Sequence, residues 1–504
     1  MKKVHALAVL MLSPVLVAAL ASSATASVTA PVQVTSGSPF APGCAGPGHD
    51  PTGTLNENAE VEPWVAVDRG DSSNVAGNWQ QDRWSDGGSH GLVASASGNG
   101  GTTWNGETFA DFSRCPLFAH TGNPDSQEPG REYDRGSDPW VSWGSAHRLH
   151  QIALTVSQPS FGLGLNSGIL VSHSDDFGAH WSHPQALKQD SGGNVLDDKE
   201  SLTADPDSGY VYAIWDRLVA PSEHANLHAT ENAIGYRGAT WFASSADNGD
   251  NWATARKIYD PGEVNQTIAN QIAVEPNGTL LDLFLQINNF SNAHKNRGFN
   301  VAVMRSTDHG ATWSKPVFVS KLVDRTVTTP GDNRPLRTGD IAPDIAIDRS
   351  SGAVYVVWQD AVSGTPAIYL SKSTNGGVGW SSPQKVSDSP AGVSAFTPSV
   401  DVNSDGAVGV TFYDFRRDAP DSATALTDYW IRTSTDGGST WSDSQRVTPA
   451  SFDMKKAPVA RGYFVGDYEG LDHGGSTFKV FFVQTHNGDT GTNPTDVYAA
   501  DATP

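Results

Sequence analysis

Ser174-Asp175-Asp176-Phe177-Gly178-Ala179-His180-Trp181 has the form Ser-x-Asp-x-Gly-x-x-Trp. The form returns at Ser245 to Trp252, Ser306 to Trp313 and Ser434 to Trp441, and with Asn for Asp at Ser97 to Trp104 and Ser373 to Trp380. The six tryptophans fall 61 to 77 residues apart. Repetition at a fixed period marks one supersecondary unit used many times over. The residue types suit a tight turn. Ser and Asp or Asn bond to turn amides, Gly supplies a positive φ, and Trp packs between sheets.

Around each copy lie short runs of β-forming residues. Gly168-Ile169-Leu170-Val171-Ser172 precedes one copy, and Arg446-Val447-Thr448 follows another. Two more strands stand upstream in each unit, such as Pro63 to Asp68, Pro139 to Trp143 and Glu200 to Asp205 for the first, and Val211 to Trp215 and Val354 to Trp358 for the second. Four strands per unit of about 65 residues predict an all-β fold, a β-propeller of four-stranded blades. After the sixth copy, Tyr463 to Leu471, Thr477 to Gln484 and Thr495 to Ala500 read as three strands lacking an outer fourth. Pro31-Val32-Gln33-Val34-Thr35 near the N-terminus can supply it. Seven blades are therefore expected, closed by that N-terminal strand, with six as the alternative if the C-terminal strands only decorate.

Composition agrees with one large β body. The 504 residues carry 33 Lys plus Arg against 55 Asp plus Glu, a formal charge of −22, and only 17% are charged. There are 51 Gly, 30 Pro and 15 Trp. Such a polyanion argues against a nucleic-acid partner, which needs clustered basic residues. Residues 1–26 read as a signal peptide: Lys2 and Lys3, an apolar run from Val4 to Leu20, then Ala24-Thr25-Ala26. A secreted, extracellular protein is expected, with a single domain over 27–504, no membrane association and a monomeric state. Cys44 and Cys115 are the two cysteines, and pairing with each other is expected outside the cell.

The repeated box resembles that of the sialidase-like superfamily of Asp-box, or BNR repeat, β-propeller proteins, over nearly the whole chain after residue 26. The resemblance implies a secreted bacterial sialidase-family or exo-sialidase-like protein. The boxes specify architecture, since in that superfamily they lie at the outer rim and many activities share them. This chain departs from true sialidases in lacking their Phe/Tyr-Arg-Ile-Pro tetrapeptide and in its expected blade number.

In a propeller the segments entering the first strands surround the central axis. Here they hold Glu60 and Glu62, Arg135 and Asp138, Asp198, Lys199 and Glu200, Asn270 and Gln271, Arg337, Asp340 and Asp344, Thr397, then Arg461, Asp467, Tyr468 and Glu469. Asp138 and Glu200 are candidate acid and base, because glycoside hydrolysis commonly uses two carboxyl groups. Tyr468 is a candidate nucleophile by analogy with the late tyrosine of sialidases. Arg83, Arg217 and Arg416 end equivalent second strands and could clamp a sugar carboxylate through their planar guanidinium forks. Arg461, Glu62 and Asp344 complete the candidate substrate-binding set. Trp84, Trp140 and Trp143 could stack on sugars, and His224, His228 and His294 show no tight metal-ligand spacing. Asn265, Asn277 and Asn289 fit the glycosylation sequon.

The expected function is an exo-glycosidase of sialidase type acting on the non-reducing end of an acidic oligosaccharide or polysaccharide. One alternative is a polysaccharide lyase acting on uronic-acid glycans of the rhamnose-glucuronate type. Another is a non-catalytic propeller that binds glycan or protein. Hydrolysis requires no cofactor, and the polar ring could hold a structural or catalytic Ca2+.

Overall fold

The computed structural model describes residues 27–49, 53–157, 166–192, 195–219, 237–263, 265–288, 298–419, 421, 423–486 and 492–504. The segment read as a signal peptide lies outside them, as do His224, His228, Asn289 and His294. The described chain is all-β apart from the helix Arg114–Thr121 and short 3-10 turns.

Strands pair antiparallel in successive sets that follow chain order. The first set joins Leu55–Val67, Val75–Trp84 and Ser89–Ser97, with Thr108 bridged to Ala94 outside it. The second joins Arg135–Trp143, Leu149–Val156, Asn166–Ser174 and Gln185–Ser191. The third joins Val195–Ala204, Val211–Val219, Arg237–Ser245 and Arg256–Tyr259. The fourth joins Asn265–Val274, Leu280–Asn288, Gly298–Ser306 and Val317–Leu322. The fifth joins Asp344–Ile347, Val354–Asp360, Ala367–Ser373 and Gln384–Lys385. The sixth joins Ala395–Val402, Val408–Asp414, Leu426–Ser434 and Gln445–Arg446. The last joins Gly470–Gly474, Thr477–Thr485 and Thr495–Thr503. Against its outer strand Val32 pairs with Ala499 and Ser27 with Thr503. Single bridges such as Ala59 to Thr495 and Ser89 to Gly136 link neighbouring sets into larger sheets.

Tyr463 to Leu471 is not one strand. Tyr463–Phe464 pairs in parallel with Leu336–Arg337, and the inner strand of the last set starts only at Gly470. Between them lies Gly466-Asp467-Tyr468-Glu469, outside any strand.

All six repeated loops close the same way. The Gly amide donates to the Ser hydroxyl oxygen at 2.8 to 2.9 Å, as from Gly178 to Ser174 and from Gly438 to Ser434. Each of those glycines has φ between 76° and 87°, which a side chain would strain. The tryptophans of these loops pack against the cores between sets, Trp252 against the one that holds Trp215 and Trp441 against the one that holds Tyr355 among them. Ser245 pairs with Val211 and so lies level with Ala204, whereas Asp216 lies level with Asp198. The repeated loops therefore sit at the opposite end of the strands from the polar residues entering them.

Cys44 and Cys115 form a disulfide across 71 residues, and both are buried. It ties the segment after the N-terminal strands to the helix Arg114–Thr121.

Candidate functional site

The first strand of five sets breaks register. The breaks fall between Val61 and Trp64, Ser137 and Trp140, Asp198 and Ser201, Ile268 and Gln271, and Phe396 and Ser399. At each break one non-glycine residue takes a left-handed φ: Glu62 at 54°, Asp138 at 52°, Lys199 at 46°, Ala269 at 58° and Thr397 at 49°. Bulges of this kind re-aim side chains, and left-handed non-glycine residues persist where the surroundings over-determine them. Three of the five precede proline, a context that adds restriction.

The bulges bring charges from several sets together. Lys199 Nζ donates to Asp467 Oδ2 at 2.7 Å and to Asp138 Oδ1 at 2.8 Å, and lies 3.4 Å from Glu62 Oε1. All four side chains are buried. Burial opposes the charge on Lys199, but Asp138, Asp467 and Glu62 outweigh it and hold the ammonium well above its usual range. Asp467 is gripped by Arg337, whose Nε donates to Oδ1 at 2.8 Å and whose Nη2 donates to Oδ2. Burial works against ionising Asp467, yet Arg337 and Lys199 prevail and hold its carboxyl well below the usual range. Glu62, accepting from Gln80, is pushed up to about 7 by burial, against the pull of Lys199.

A cavity opens beside this cluster, walled by Trp64, Asp138, Trp140, Lys199, Glu200 and Tyr468 on one side and by Asn270, Asp344 and Ser399 on the other. Its space measures about 30 Å³, room for ordered water. Trp64 and Trp140 stack at 3.4 Å between centroids, and Tyr468 meets both edge-on at 6.0 and 5.5 Å. Glu200 Oε1 accepts the Leu154 amide, while Oε2 is buried with no partner among the described residues. Burial first, then the Asp138 charge, raises the Glu200 carboxyl well above its usual range. Asn270 Nδ2 in the same wall also has no partner among the described residues. Asp344 accepts the amides of Ile345 at 2.9 Å and Val400 at 2.8 Å and is pushed by burial up to about 7.

Asp138, Glu200, Tyr468 and Asp344 thus share one cavity, with Glu62 alongside. The arginine clamp is not assembled there. Arg217 makes a two-pronged pair with Asp190, at 2.8 Å through Nη2, and lies 3.6 Å from Asp197. Arg416 donates to Asp414 at 2.6 Å and to Asp388 at 2.8 Å, over the face of Trp430. Neither lines the cavity. Arg83 is buried, bonded to Gln80 Oε1 at 2.5 Å, and burial draws its guanidinium down to about 10. Arg461 lies exposed ahead of the last set. Arg217 and Arg416 each face carboxyls near their own set, whereas Arg83 lies over the Phe464 ring at 5.0 Å, beside the Lys199 cluster.

Tyr468, the candidate nucleophile, stands in the cavity wall. Its hydroxyl donates to the Pro139 carbonyl at 3.2 Å, and burial followed by the charges of Glu62, Asp138 and Glu200 keeps the phenol well above its usual range. Of the aromatics considered for stacking, Trp140 reaches the cavity. Trp84 lies under Arg135, and Trp143 packs in the apolar core with Phe177.

Lys199, Arg337 and Asp467 stand on the polar ring in the sequence without a role of their own, and Trp64 does not stand out there. One visible signal is the repeated acid-Pro-Trp-Val of Glu62 to Val65 and Asp138 to Val141. At the other end of the strands, Asp401, Asp472 and His473 place ligand atoms within 4.8 Å of one another. His473 Nδ1 bonds to Asp401 at 2.6 Å and Asp472 accepts from the Val67 amide and Arg69, a closed hydrogen-bonded group. No helix among the described residues is long and apolar enough to cross a membrane.

No protein-family model matches the chain, and no curated protein does. Among solved structures it is similar to a Hadza microbial sialidase, at 16% identity over 72% of this chain and 65% of that one, with a TM-score of 0.46. The chain thus spans just under two thirds of that protein. A Dyadobacter fermentans protein of unknown function is similar at 11% identity over 95% and 99% of the two chains, with a TM-score of 0.47. An α-L-arabinanase of Penicillium chrysogenum, complexed with arabinobiose, is similar at 11% identity over 94% and 98%, with a TM-score of 0.44. Sialidases and arabinanases thus stand among the structures that this chain is similar to.

Proposed function

We propose that the protein is a secreted glycoside hydrolase, a one-domain β-propeller of seven blades closed by the N-terminal strand, which cleaves a glycan at the mouth of the central cavity. The observation that carries the reading is Glu200. A carboxyl that burial raises well above its usual range, with one oxygen unpartnered among the described residues, lines a water-sized space beside a second carboxyl, Asp138. That pairing suits protonation of a leaving oxygen by Glu200 and attack assisted by Asp138. Asn270 offers its unpartnered Nδ2 to that space. Trp64, Trp140 and Tyr468 keep the surroundings apolar, which sustains the raised pKa of Glu200.

Seven antiparallel sets in chain order, with Val32 and Ser27 against the C-terminal strand, support the blade count and the closure. With Arg217 and Arg416 committed elsewhere, an acidic sugar has less support than a hydrolase in general. Incubation with sialyl-lactose, a rhamnose-glucuronate gum and arabino-oligosaccharides, followed by mass spectrometry, tests the reading. Products gaining the mass of water support hydrolysis. An unsaturated product would replace it with elimination, and no product from a broader glycan panel would overturn it.

A further inference from the structure

A second cavity of about 350 Å³ lies between the fifth and sixth sets, within the size range of small-ligand sites. Its walls come from three stretches: residues 325–333, the turn at Gly364 to Pro366 and the approach to the sixth set at Gly392 to Ser394, with Phe415 and Asp418 alongside. We propose that this cleft binds a neutral, hydroxyl-rich stretch of glycan, the part of the chain adjoining the unit cleaved at the central cavity. The proposal rests on the hydrolase reading.

The lining chemistry selects the ligand. The side chains of Thr326, Thr328, Asn333, Thr365 and Ser394 have no hydrogen-bond partner among the described residues. Five hydroxyl or amide groups around one cleft match a ligand that both donates and accepts at many points. Charge adds the second constraint. Arg325 is the cation in the wall and Asp418 the carboxyl, so neither sign prevails. Asp418 accepts the Leu426 amide at 2.8 Å through Oδ1, and Oδ2 has no partner among the described residues. Burial raises this carboxyl above its usual range. An anionic sugar would need surplus positive charge, which the cleft does not hold.

Position links the cleft to the central site. Ser394 lines the cleft, and Pro398 and Ser399 line the central cavity. The strand Ala395–Val402 joins them, so the two sites lie at most about 17 Å apart along five extended residues. Thr397 between them donates to the Thr338 carbonyl at 2.8 Å, which anchors the strand start that joins them.

The test is calorimetric titration of the full protein with neutral arabino-, xylo-, cello- and galacto-tetraoses, with sialyl-lactose as the charged comparison. The double variant Asn333→Ala with Ser394→Ala, on exposed and half-exposed positions, is titrated beside it after its thermal midpoint is matched to the parent. At least one tetraose is expected to bind, and the double variant to lose about tenfold in affinity, the effect of one or two hydrogen bonds. KM for the polymer should rise by a similar factor, with turnover of a small aryl glycoside unchanged. No binding by any tetraose, or equal binding by the double variant, overturns the cleft. Cleft-dependent binding without any product would instead uphold the cleft and fail the hydrolase.

Discussion

Lys199 Nζ and Asp138 Oδ1 lie 2.8 Å apart with both side chains buried, and each residue sits at the left-handed bulge of its own first strand. The contact joins the second and third sets at the point where Asp467 and Glu62 arrive from the last and first. One ammonium thereby satisfies carboxyls from three other sets.

Lys199→Met should for that reason be severe. It leaves Asp138, Asp467 and Glu62 facing one another without their shared cation, and stranding buried charge typically costs about 3–5 kcal/mol. A fall in the thermal unfolding midpoint of several degrees is expected. A midpoint within a degree of the parent would show that the cluster holds nothing together.

Stability should be greatest at mildly acidic pH. Glu62, Asp197 and Asp344 are all pushed up to about 7, chiefly by burial, from ordinary values near 4. The folded state therefore binds more protons than the unfolded one between about pH 4 and 7, and stability is lost as pH rises through that window. Burial opposes ionising Asp190 and Asp260, yet Arg217 and Arg237 hold them at about 2, so these two act oppositely and withdraw support below pH 4. Thermal midpoints should fall in order from pH 4.5 to 6 to 7.5, and a rising series contradicts these assignments.

Reduction should loosen the N-terminal segment. The Cys44 to Cys115 bond closes a loop of 71 residues, for which chain entropy predicts about 4 kcal/mol. Cys44→Ser with Cys115→Ser should lower the unfolding midpoint and speed proteolysis between residues 36 and 54. Equal digestion of both forms would deny the bond that role.

Removing residues 27–35 tests the closure. Val32, Gln33 and Ser27 pair with Thr495–Thr503, and Thr35 with Gln33 bonds to Asp496 at 2.9 Å. The truncated chain would expose that strand as a free edge, so a lower midpoint and concentration-dependent association are expected by calorimetry and light scattering. An unchanged, monodisperse product would mean that the N-terminal strand only decorates.

The hydrophobic runs and the six boxed turns make the strand sets legible in the sequence, because those patterns are local. The polar residues entering the first strands are legible too, and Asp138, Glu200 and Asp344 do share a cavity. Which charges meet is a different matter. Arg217 finds Asp190 and Arg416 finds Asp388 on strand ends or turns some 27 or 28 residues earlier, while Asp467 finds Lys199 across 268. The bulges that turn Glu62, Asp138 and Lys199 inward depend on tertiary packing, and no propensity announces a left-handed glutamate before proline.

The most direct test compares Glu200→Gln with the parent in 18O-labelled water. Gln keeps the size of the side chain and an oxygen for the Leu154 amide but cannot donate the proton. The parent should release glycan product carrying the label, and the variant should be slower by about 10²–10⁴-fold at an unchanged thermal midpoint. Labelled product formed equally fast by the variant would contradict the assignment of the reaction to this cavity.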